Sequence, residues 1–261
     1  MLGENALIKP RLLPAFDHLK VQGRRPSLPA GTRIYAVGDI HGRLDLLDEL
    51  LGWIRTDIAQ RPIARPIHVF VGDYIERGPA SRETIDRLIE HRKENECVFL
   101  KGNHELVAIK CLSDRSLFDD WMRLGGMETL ASYGIPAHGL SNGRKIVELQ
   151  AAFHRALPSA HFGFFRHLQL SFVCGDFFFA HAGVRPEVDL TRQRENDLLW
   201  IREEFLVSEL DFGKIVVHGH TPTAEIEVGP NRINIDTGAF ATGRLSCLVM
   251  EDGALSAVNT G

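Results

Sequence analysis

Five short clusters along the chain combine glycine with the residue types that bind metal ions. Each cluster follows a run of apolar residues, and together they hold two aspartates, one asparagine and several histidines. Their sequences are GDIHG (38–42), GDYIERG (72–78), GNHE (102–105), HAG (181–183) and HGHT (218–221). Imidazole, carboxylate and carboxamide groups suit divalent ions such as Mn, Fe or Zn, and a carboxylate can bridge two of them. The residue types therefore predict a site for two divalent ions.

The charge of this predicted site favours a phosphate substrate. If Asp39 and Asp73 are the only anionic ligands, two dications keep a surplus charge of about +2 after both carboxylates are counted. Such a surplus attracts a phosphate dianion and acidifies a bound water molecule. The glycines of the clusters allow the sharp turns and close backbone approach that such loops require. We therefore expect phosphate chemistry.

The segments between the first clusters alternate between strand and helix patterns. Residues 33–37, 67–71 and 97–100 are apolar and strand-like, whereas leucine recurs at helical spacing in 44–58 and a second helix is predicted over 81–93. This alternation is typical of a parallel sheet with crossover helices. In such sheets ligands bind at the carboxyl ends of the strands, which is where the clusters lie.

The rest of the chain predicts a helical insertion and a second group of strands. Residues 106–167 have a helical pattern broken by turns, and a later helix is expected near 195–206. Further strands are expected at 170–173, 177–180, 215–217, 232–235 and 245–250. We expect two packed mixed sheets with helices outside, in one catalytic domain over 31–261. Residues 1–30 lack sustained periodicity and predict an N-terminal arm.

Composition excludes several classes of protein. The chain has 261 residues, 44% hydrophobic and 25% charged, which excludes extensive disorder and coiled coil. The formal net charge is -4, so no global charge favours nucleic acid or an anionic membrane. No apolar run is long enough to span a bilayer, and the N-terminus has no apolar signal core. We expect a cytoplasmic protein with no nucleic-acid or membrane partner.

The clusters also resemble a known family. Their order and spacing are similar to the metal-dependent phosphoprotein phosphatases, whose signature is G-D-x-H-G, then G-D-x-x-D-R-G, then G-N-H-E, within the calcineurin-like metallophosphoesterase superfamily. The short chain and the segments DLLWIR (197–202) and INIDTGA (233–239) resemble the bacterial and bacteriophage members. The resemblance implies a four-layer α/β/β/α sandwich that hydrolyses phosphomonoesters. The favoured substrates are serine/threonine phosphoproteins. The implied cofactors are two divalent ions, with manganese first and iron or zinc as alternatives.

The resemblance also implies a role for each motif residue. It assigns one metal ion to Asp39, His41 and Asp73, and the second to Asp73, Asn103, His181 and His220. In that scheme a hydroxide between the metals attacks phosphorus, and His104 is the general acid that protonates the leaving alkoxide. Arg77 binds phosphate oxygens, and Arg202 resembles a second phosphate-binding arginine. His218 lies outside the motif, so a structural role is expected for it.

Glu76 is the departure from this family signature. The family has aspartate at this position, paired with the acid histidine to hold its orientation and raise its pKa. Relatives that split diadenosine tetraphosphate symmetrically tend to lack an acidic residue here. Symmetrical hydrolysis of a dinucleoside polyphosphate is therefore the first alternative function, and a metal-binding module without turnover is the second. If Glu76 reaches His104, we expect it to raise the pKa of the histidine.

Overall fold

The computed structural model describes residues 11–12, 19–136 and 143–261, and within these ranges the chain forms eleven strands and ten α-helices. The strands are β1 (Arg11–Leu12), β2 (Thr32–Val37), β3 (Arg65–Phe70), β4 (Glu96–Phe99), β5 (Ser171–Cys174), β6 (Phe177–Ala180), β7 (Ile215–His218), β8 (Glu227–Val228), β9 (Arg232–Asn234), β10 (Ser246–Glu251) and β11 (Ala254–Asn259). The helices are α1 (Leu44–Gln60), α2 (Ser81–His91), α3 (Asn103–Cys111), α4 (Phe118–Leu124), α5 (Gly126–Ser132), α6 (Gly143–Ala156), α7 (Ser159–Arg166), α8 (Glu195–Trp200), α9 (Glu203–Leu206) and α10 (Ala239–Thr242).

Two mixed sheets share these strands. The first has the order β1-β11-β10-β2-β3-β4, in which β2, β3 and β4 are parallel neighbours. The second has the order β5-β6-β7-β9-β8, in which β6, β7 and β9 are parallel neighbours. The antiparallel strands lie outside these parallel cores. Each sheet therefore presents one edge at which the carboxyl ends of three parallel strands come together.

Alternating side chains place the sheets between helices. In β2, Ile34 and Ala36 belong to the core between the sheets, whereas Tyr35 and Val37 pack with the buried leucines of α1. In β6, Phe179 faces the core between the sheets and Phe178 packs against α8 and α9. Both faces of each sheet are covered, which explains the continuous apolar runs of these strands. The order of layers is helix, sheet, sheet, helix, as expected.

The region that the sequence assigns to a helical insertion contains α4 to α7 and most of α3. The described parts of these helices bury aromatic rings in the core that also covers the first sheet, among them Phe118, Trp121, Phe153 and Phe164. Residues 137–142 of the predicted insertion lie outside the described residues. No helix in the described ranges is long and apolar enough to cross a membrane.

Three details differ from the sequence-based expectations. Within the predicted N-terminal arm, Leu19, Val21 and Leu28 are buried between the sheets, because single apolar residues can fill a core without any periodic pattern. The helix expected near 195–206 is two helices, since the chain is extended at Ile201 (ψ 142°). Strand β11 is a further difference, since the sequence pattern predicts no strand after 250. An Asp-Gly pair with positive φ at both residues joins β11 to β10 and is a typical hairpin turn.

Candidate dinuclear metal site

All five clusters meet where the parallel strands of the two sheets end. Asp39 follows β2, Asp73 follows β3, and Asn103 begins α3 directly after β4. His181 follows β6, and His220 follows β7. All five side chains are buried. The structure therefore brings together metal-binding residue types that lie up to 181 residues apart in the sequence.

Asn103, His181, His220 and Asp73 form one group of candidate ligands. The Asn103 Oδ1 atom lies 2.9 Å from His181 Nε2 and 2.9 Å from His220 Nδ1. Asp73 Oδ1 lies 3.4 Å from His181 Nε2. This is the set that the resemblance assigns to the second metal ion.

The hydrogen bond on the far side of His181 tests whether this group suits a cation. His181 Nδ1 lies 2.9 Å from the Val71 carbonyl oxygen, to which it must donate its proton. Burial lowers the pKa of His181 to about 3, so the ring is neutral and Nε2 carries a lone pair. That lone pair faces the carbonyl oxygen of the Asn103 side chain without a hydrogen between them. A divalent cation satisfies such converging lone pairs, and the group therefore fits a metal ion.

His41, Asp73 and His104 form a second group. The Nε2 atoms of His41 and His104 each lie 3.6 Å from Asp73 Oδ2. His41 Nδ1 donates to the Ile75 carbonyl oxygen at 2.9 Å, which leaves its Nε2 lone pair directed at the site. Asp73 is thus common to both groups, and its bridging of two metal ions stays a prediction.

Asp39 lies at the same site, in contact with the backbone of His220. Asp39 Oδ2 accepts the backbone N–H of His220 at 3.0 Å, whereas its buried Oδ1 has no hydrogen-bond partner among the described residues. Among the described residues, the compact group around His41 and Asp73 contains His104, the expected general acid, and not Asp39, so the assignment of Asp39 to the first metal ion stays a prediction. The unpartnered oxygen still fits a cation, because a buried carboxylate oxygen without a partner is costly.

The site also contains more buried carboxylates than the sequence motifs predict. Asp236 lies within electrostatic reach of Asp39 and Asp73, and burial raises its pKa to about 6. Burial also raises the pKa values of Asp39 and Asp73, and that of Glu105 to about 8. Four acidic groups are costly together in a dry site unless cations neutralise them. Asp236 is not among the site residues expected from the sequence, although it follows β9 as the other site residues follow their strands.

Glu105 holds the loop that carries Asp73. Its Oε2 accepts the N–H groups of Asp73 and Gly102, both at 3.0 Å. Its Oε1 accepts those of Tyr74 at 2.7 Å and Ile75 at 3.3 Å. Both carboxylate oxygens of this side chain are therefore used within the protein, and Glu105 acts as a loop anchor.

Two glycines make room for the site carboxylates. A Cβ atom at Gly102 would lie 2.0 Å from Asp73 Oδ1, and one at Gly219 would lie 2.0 Å from Asp39 Oδ1. Five other site residues have left-handed backbone angles, with φ between 47° and 73°: His41, Asp73, Glu76, Arg77 and His220. Such angles cost about 1–3 kcal/mol each and cluster at functional sites. Packing and hydrogen bonds around the loops must hold these residues in place.

Glu76 reaches His104 despite its extra methylene group. Glu76 Oε2 lies 2.5 Å from His104 Nδ1, and Trp121 Nε1 donates to the other carboxylate oxygen. Arg77 Nη2 donates to His104 Nε2 at 3.2 Å, so the proton of a neutral His104 is on Nδ1. The pKa of His104 nevertheless lies below its ordinary value, which is opposite to the direction that pairing with Glu76 favours. Burial lowers the pKa of the histidine and raises that of Glu76.

Two guanidinium groups and two aromatic rings border the site. The ring of Phe240 lies 5.4 Å from the His41 ring and 4.6 Å from the Arg77 guanidinium carbon. On the side of the other group, the Trp200 ring lies 6.2 Å from the His220 ring, and Arg202 Nη1 lies 3.4 Å from Thr221 Oγ1. His218 stays outside both groups: it is buried, with its ring 5.0 Å from Phe205.

This arrangement suits hydrolysis of a phosphate ester or anhydride. Two divalent ions, when bound, supply positive charge for phosphate oxygens and lower the pKa of a water molecule. Arg77 donates to His104, which lies next to the Asp73 carboxylate that both groups share. Its planar guanidinium group therefore offers hydrogen bonds to a phosphate that binds at this position. Candidate ligands fall within the HAG and GHT clusters of the second sheet as well as the clusters of the first, so both sheets are needed to assemble the site.

Several proteins of similar sequence are bacterial enzymes named bis(5'-nucleosyl)-tetraphosphatase. The chain is 26% identical over 231 residues to the asymmetrical bis(5'-nucleosyl)-tetraphosphatase PrpE of Anoxybacillus flavithermus, covering 81% of this chain and 88% of the relative. It is 29% identical over 236 residues to the enzyme of the same name from Oceanobacillus iheyensis, covering 82% of this chain and 87% of the relative.

Similar folds are found in solved structures. A crystal structure provisionally assigned as a diadenosine tetraphosphatase has a TM-score of 0.61 and 21% identity, covering 90% of this chain and 99% of the other. A protein serine/threonine phosphatase from Saccharomyces cerevisiae has a TM-score of 0.54 and 14% identity, covering 90% of this chain and 84% of the other. Both likenesses support the fold alone.

The family model for calcineurin-like phosphoesterases matches residues 32–242, a range that contains all five clusters and both groups of candidate ligands. This chain belongs to the calcineurin-like phosphoesterase family.

Proposed function

We propose that the chain hydrolyses dinucleoside polyphosphates, and that it splits diadenosine tetraphosphate asymmetrically into AMP and ATP. The observation that carries this proposal is the similarity to the PrpE enzymes over more than four fifths of both chains. In the proposed reaction the oxygen of water bonds to the phosphorus next to one adenosine. The bond from that phosphorus to the bridging oxygen breaks, and the electron pair leaves with ATP.

The hydrogen bonds of His104 are consistent with an anhydride substrate. The ring faces Arg77 with its Nε2 lone pair and Glu76 with its Nδ1 proton. An alkoxide leaving group needs a proton, whereas a nucleotide phosphate is a weaker base and leaves with less help. The Arg77 guanidinium instead offers charge to the phosphate oxygens.

The proposal revises two expectations from the sequence. The relatives named above support the dinucleotide alternative better than the protein phosphatase. Their names also specify asymmetrical cleavage, whereas the sequence-based alternative was symmetrical. Manganese as the metal and a cytoplasmic location stay predictions.

Hydrolysis of phosphoserine or phosphothreonine in proteins is the second candidate. The observation in its favour is the buried carboxylate of Glu76, 2.5 Å from His104 Nδ1, because this pairing resembles that of the phosphoprotein phosphatases. A phosphoprotein or phosphopeptide would then be the substrate.

A substrate comparison distinguishes the two candidates. The purified chain is loaded with manganese and given diadenosine tetraphosphate or a phosphoserine peptide, and products are separated by ion-exchange chromatography. We expect kcat/KM for the dinucleotide to be at least about tenfold higher, with AMP and ATP as first products. A higher kcat/KM for the phosphopeptide would favour the second candidate, and ADP as the sole nucleotide product would exclude asymmetrical cleavage.

A further inference from the structure

Phe240 is an exposed aromatic residue at the border of the candidate metal site. It lies in the single turn of α10, which begins after Gly238, and the Asp236 carboxylate accepts the Gly238 N–H at 2.9 Å. Its exposure is 37%, although its ring contacts both His41 and Arg77. The fold therefore places an exposed apolar ring directly beside the residues that would bind phosphate.

Phe240 places a flat apolar ring next to a cationic group, as a nucleotide places a flat base near its phosphate. The guanidinium carbon of Arg77 lies over the face of the ring, 4.6 Å from its centre. Arg77 also donates a hydrogen bond to His104, which belongs to one group of candidate ligands. A nucleotide joins an anionic phosphate to a flat base through a single ribose. If the phosphate binds near Arg77 and the His41 group, the base of the same nucleotide lies beside Phe240. Flat bases stack readily on exposed aromatic rings in proteins that bind nucleotides.

We propose that Phe240 forms a nucleobase subsite, which stacks on the base of the nucleotide whose phosphate is attacked. This inference rests on the proposed dinucleotide substrate. It also predicts the site of cleavage: the phosphate next to a nucleoside is joined to its base through the ribose alone, so a base stacked on Phe240 brings that phosphate nearest to Arg77. The subsite therefore selects the phosphate next to the nucleoside, and AMP is released.

Stacking gives the subsite a characteristic specificity. Every nucleobase has a flat face, so an aromatic ring that stacks without hydrogen bonds to the base discriminates weakly among bases. Diguanosine tetraphosphate should therefore be cleaved with kcat/KM within about fivefold of that for diadenosine tetraphosphate. Inorganic tripolyphosphate has the same anhydride bond without any base and gains nothing from the ring.

The test compares Phe240→Ala with Phe240→Tyr and a matched control in the manganese-loaded protein. Phe162 in α7 supplies the control, since it is 38% exposed and the guanidinium carbon of Arg166 lies 5.8 Å from its ring centre. For each variant, kcat/KM is measured on diadenosine tetraphosphate and on tripolyphosphate, with the ratio of AMP to ADP among the nucleotide products.

We expect Phe240→Ala to lose about 10- to 100-fold more kcat/KM on the dinucleotide than on tripolyphosphate, mainly through KM. The share of ADP should rise, Phe240→Tyr should restore the values of the unmodified chain, and Phe162→Ala should change neither substrate. An equal loss on both substrates would show that Phe240 only positions Arg77, and would overturn the subsite. No loss at all would overturn it as well.

A separate inhibition experiment distinguishes failure of this inference from failure of the proposed function. AMP and inorganic phosphate are compared as inhibitors of p-nitrophenyl phosphate hydrolysis by the unmodified chain and by Phe240→Ala. If the chain does not split diadenosine tetraphosphate, yet AMP inhibits more strongly than phosphate and Phe240→Ala removes the difference, the subsite stands and the proposed function is wrong. If AMP and phosphate inhibit the unmodified chain equally, the subsite is wrong whatever the substrate.

Discussion

Asp73 connects the two groups of candidate metal ligands. One of its carboxylate oxygens faces His41 and His104, and the other faces His181. It holds this position with a left-handed backbone angle (φ 52°), fixed by the hydrogen bond from its N–H to Glu105. Burial raises its pKa, so the charged form that would bind metal is costly when no cation is bound.

Replacing Asp73 by asparagine should therefore have opposite effects with and without metal. The metal-free variant should be more stable to urea than the metal-free unmodified chain by about 1–2 kcal/mol, because one buried charge is removed beside Asp39 and Asp236. In manganese the variant should bind both ions more weakly and lose most activity. Metal content by elemental analysis and urea unfolding measure the two effects. Asp119→Asn, at an exposed site on α4, should change neither, and full occupancy by two ions in the Asp73 variant would contradict the shared role.

Arg77 contributes a directed charge rather than metal binding. Its guanidinium donates to His104 Nε2 and packs on Phe240, so its planar fork is held in place before substrate arrives. Arg77→Ala should lower kcat/KM by a factor that corresponds to about 2–4 kcal/mol, with both metal ions still bound. Arg77→Lys should restore only part, because an ammonium group cannot bind two oxygens in a plane. Steady-state kinetics with metal analysis test this, with the exposed Arg123→Ala as the control; unchanged kinetics would assign Arg77 a structural role.

At the scale of elements, three helices hold the loop of residues 72–78. Glu105 of α3 accepts N–H groups of its first residues, and Ser81 of α2 accepts the N–H of Glu76 at 2.8 Å. From the insertion, Trp121 of α4 donates its indole N–H to the Glu76 side chain. Gly125, which follows α4, lies so close that a Cβ atom there would be 2.8 Å from the Arg77 nitrogen. The insertion therefore supports the site directly.

Trp121→Phe tests this support while preserving an aromatic core residue. The variant leaves one oxygen of the buried Glu76 carboxylate without its donor, which should cost about 1–3 kcal/mol beyond the loss of ring volume. Trp53→Phe is the matched control. Trp53 lies in α1 and packs on Tyr35 of β2, away from the site. Urea unfolding of both variants in manganese gives the difference, and activity should fall only in the first. Equal loss of stability in the two variants would show that the hydrogen bond to Glu76 contributes nothing.

At the scale of the whole molecule, a buried histidine pair links the first sheet to its helices. His68 in β3 is buried, and its Nδ1 lies 2.7 Å from Nε2 of His91 at the end of α2. Burial lowers the pKa of His68 to about 3, and burial together with the nearby Arg87 lowers the pKa of His91 to about 4. A cavity of about 330 Å³ between α1 and α2 adjoins the pair, with Glu90 and Glu94 on its wall.

This pair should make the fold sensitive to acid. Above about pH 7 both histidines are neutral in the folded and unfolded chain, so they do not change stability with pH. As pH falls below about 6.5, the unfolded chain takes up protons that the folded chain excludes, and the free energy of unfolding drops. By pH 4.5 the loss attributable to His68 alone should be about 2–3 kcal/mol. Urea unfolding between pH 8 and pH 4.5 should show a shallower slope for His68→Leu than for the exposed control His154→Leu; identical slopes would contradict the prediction.

Much of this architecture is predictable from the sequence because its signals are local. The apolar runs that become β2, β3 and β4, the leucine spacing of α1 and the polar clusters after the strands can each be recognised within a few residues. Parallel strands end at one edge of a sheet, so clusters that follow such strands must lie close together. The motif order then predicts the four layers, and the structure brings buried candidate ligands from both sheets to one site.

Only the tertiary structure determines which of those residues lie together in each group of candidate ligands. Asp39, His104 and Asp236 come from separate segments and meet only through contacts across the two sheets. The nearby residues His41 and Asp73 have left-handed backbone angles, and neither feature has a signature within one segment. The same holds for Phe240, which is an ordinary apolar residue in the sequence. It borders the candidate metal site only because α10 directs its ring towards Arg77. Sequence motifs specify residue types at strand ends; the direction of each side chain depends on long-range packing, and that direction determines which groups bind metal, which hold loops and which meet the substrate.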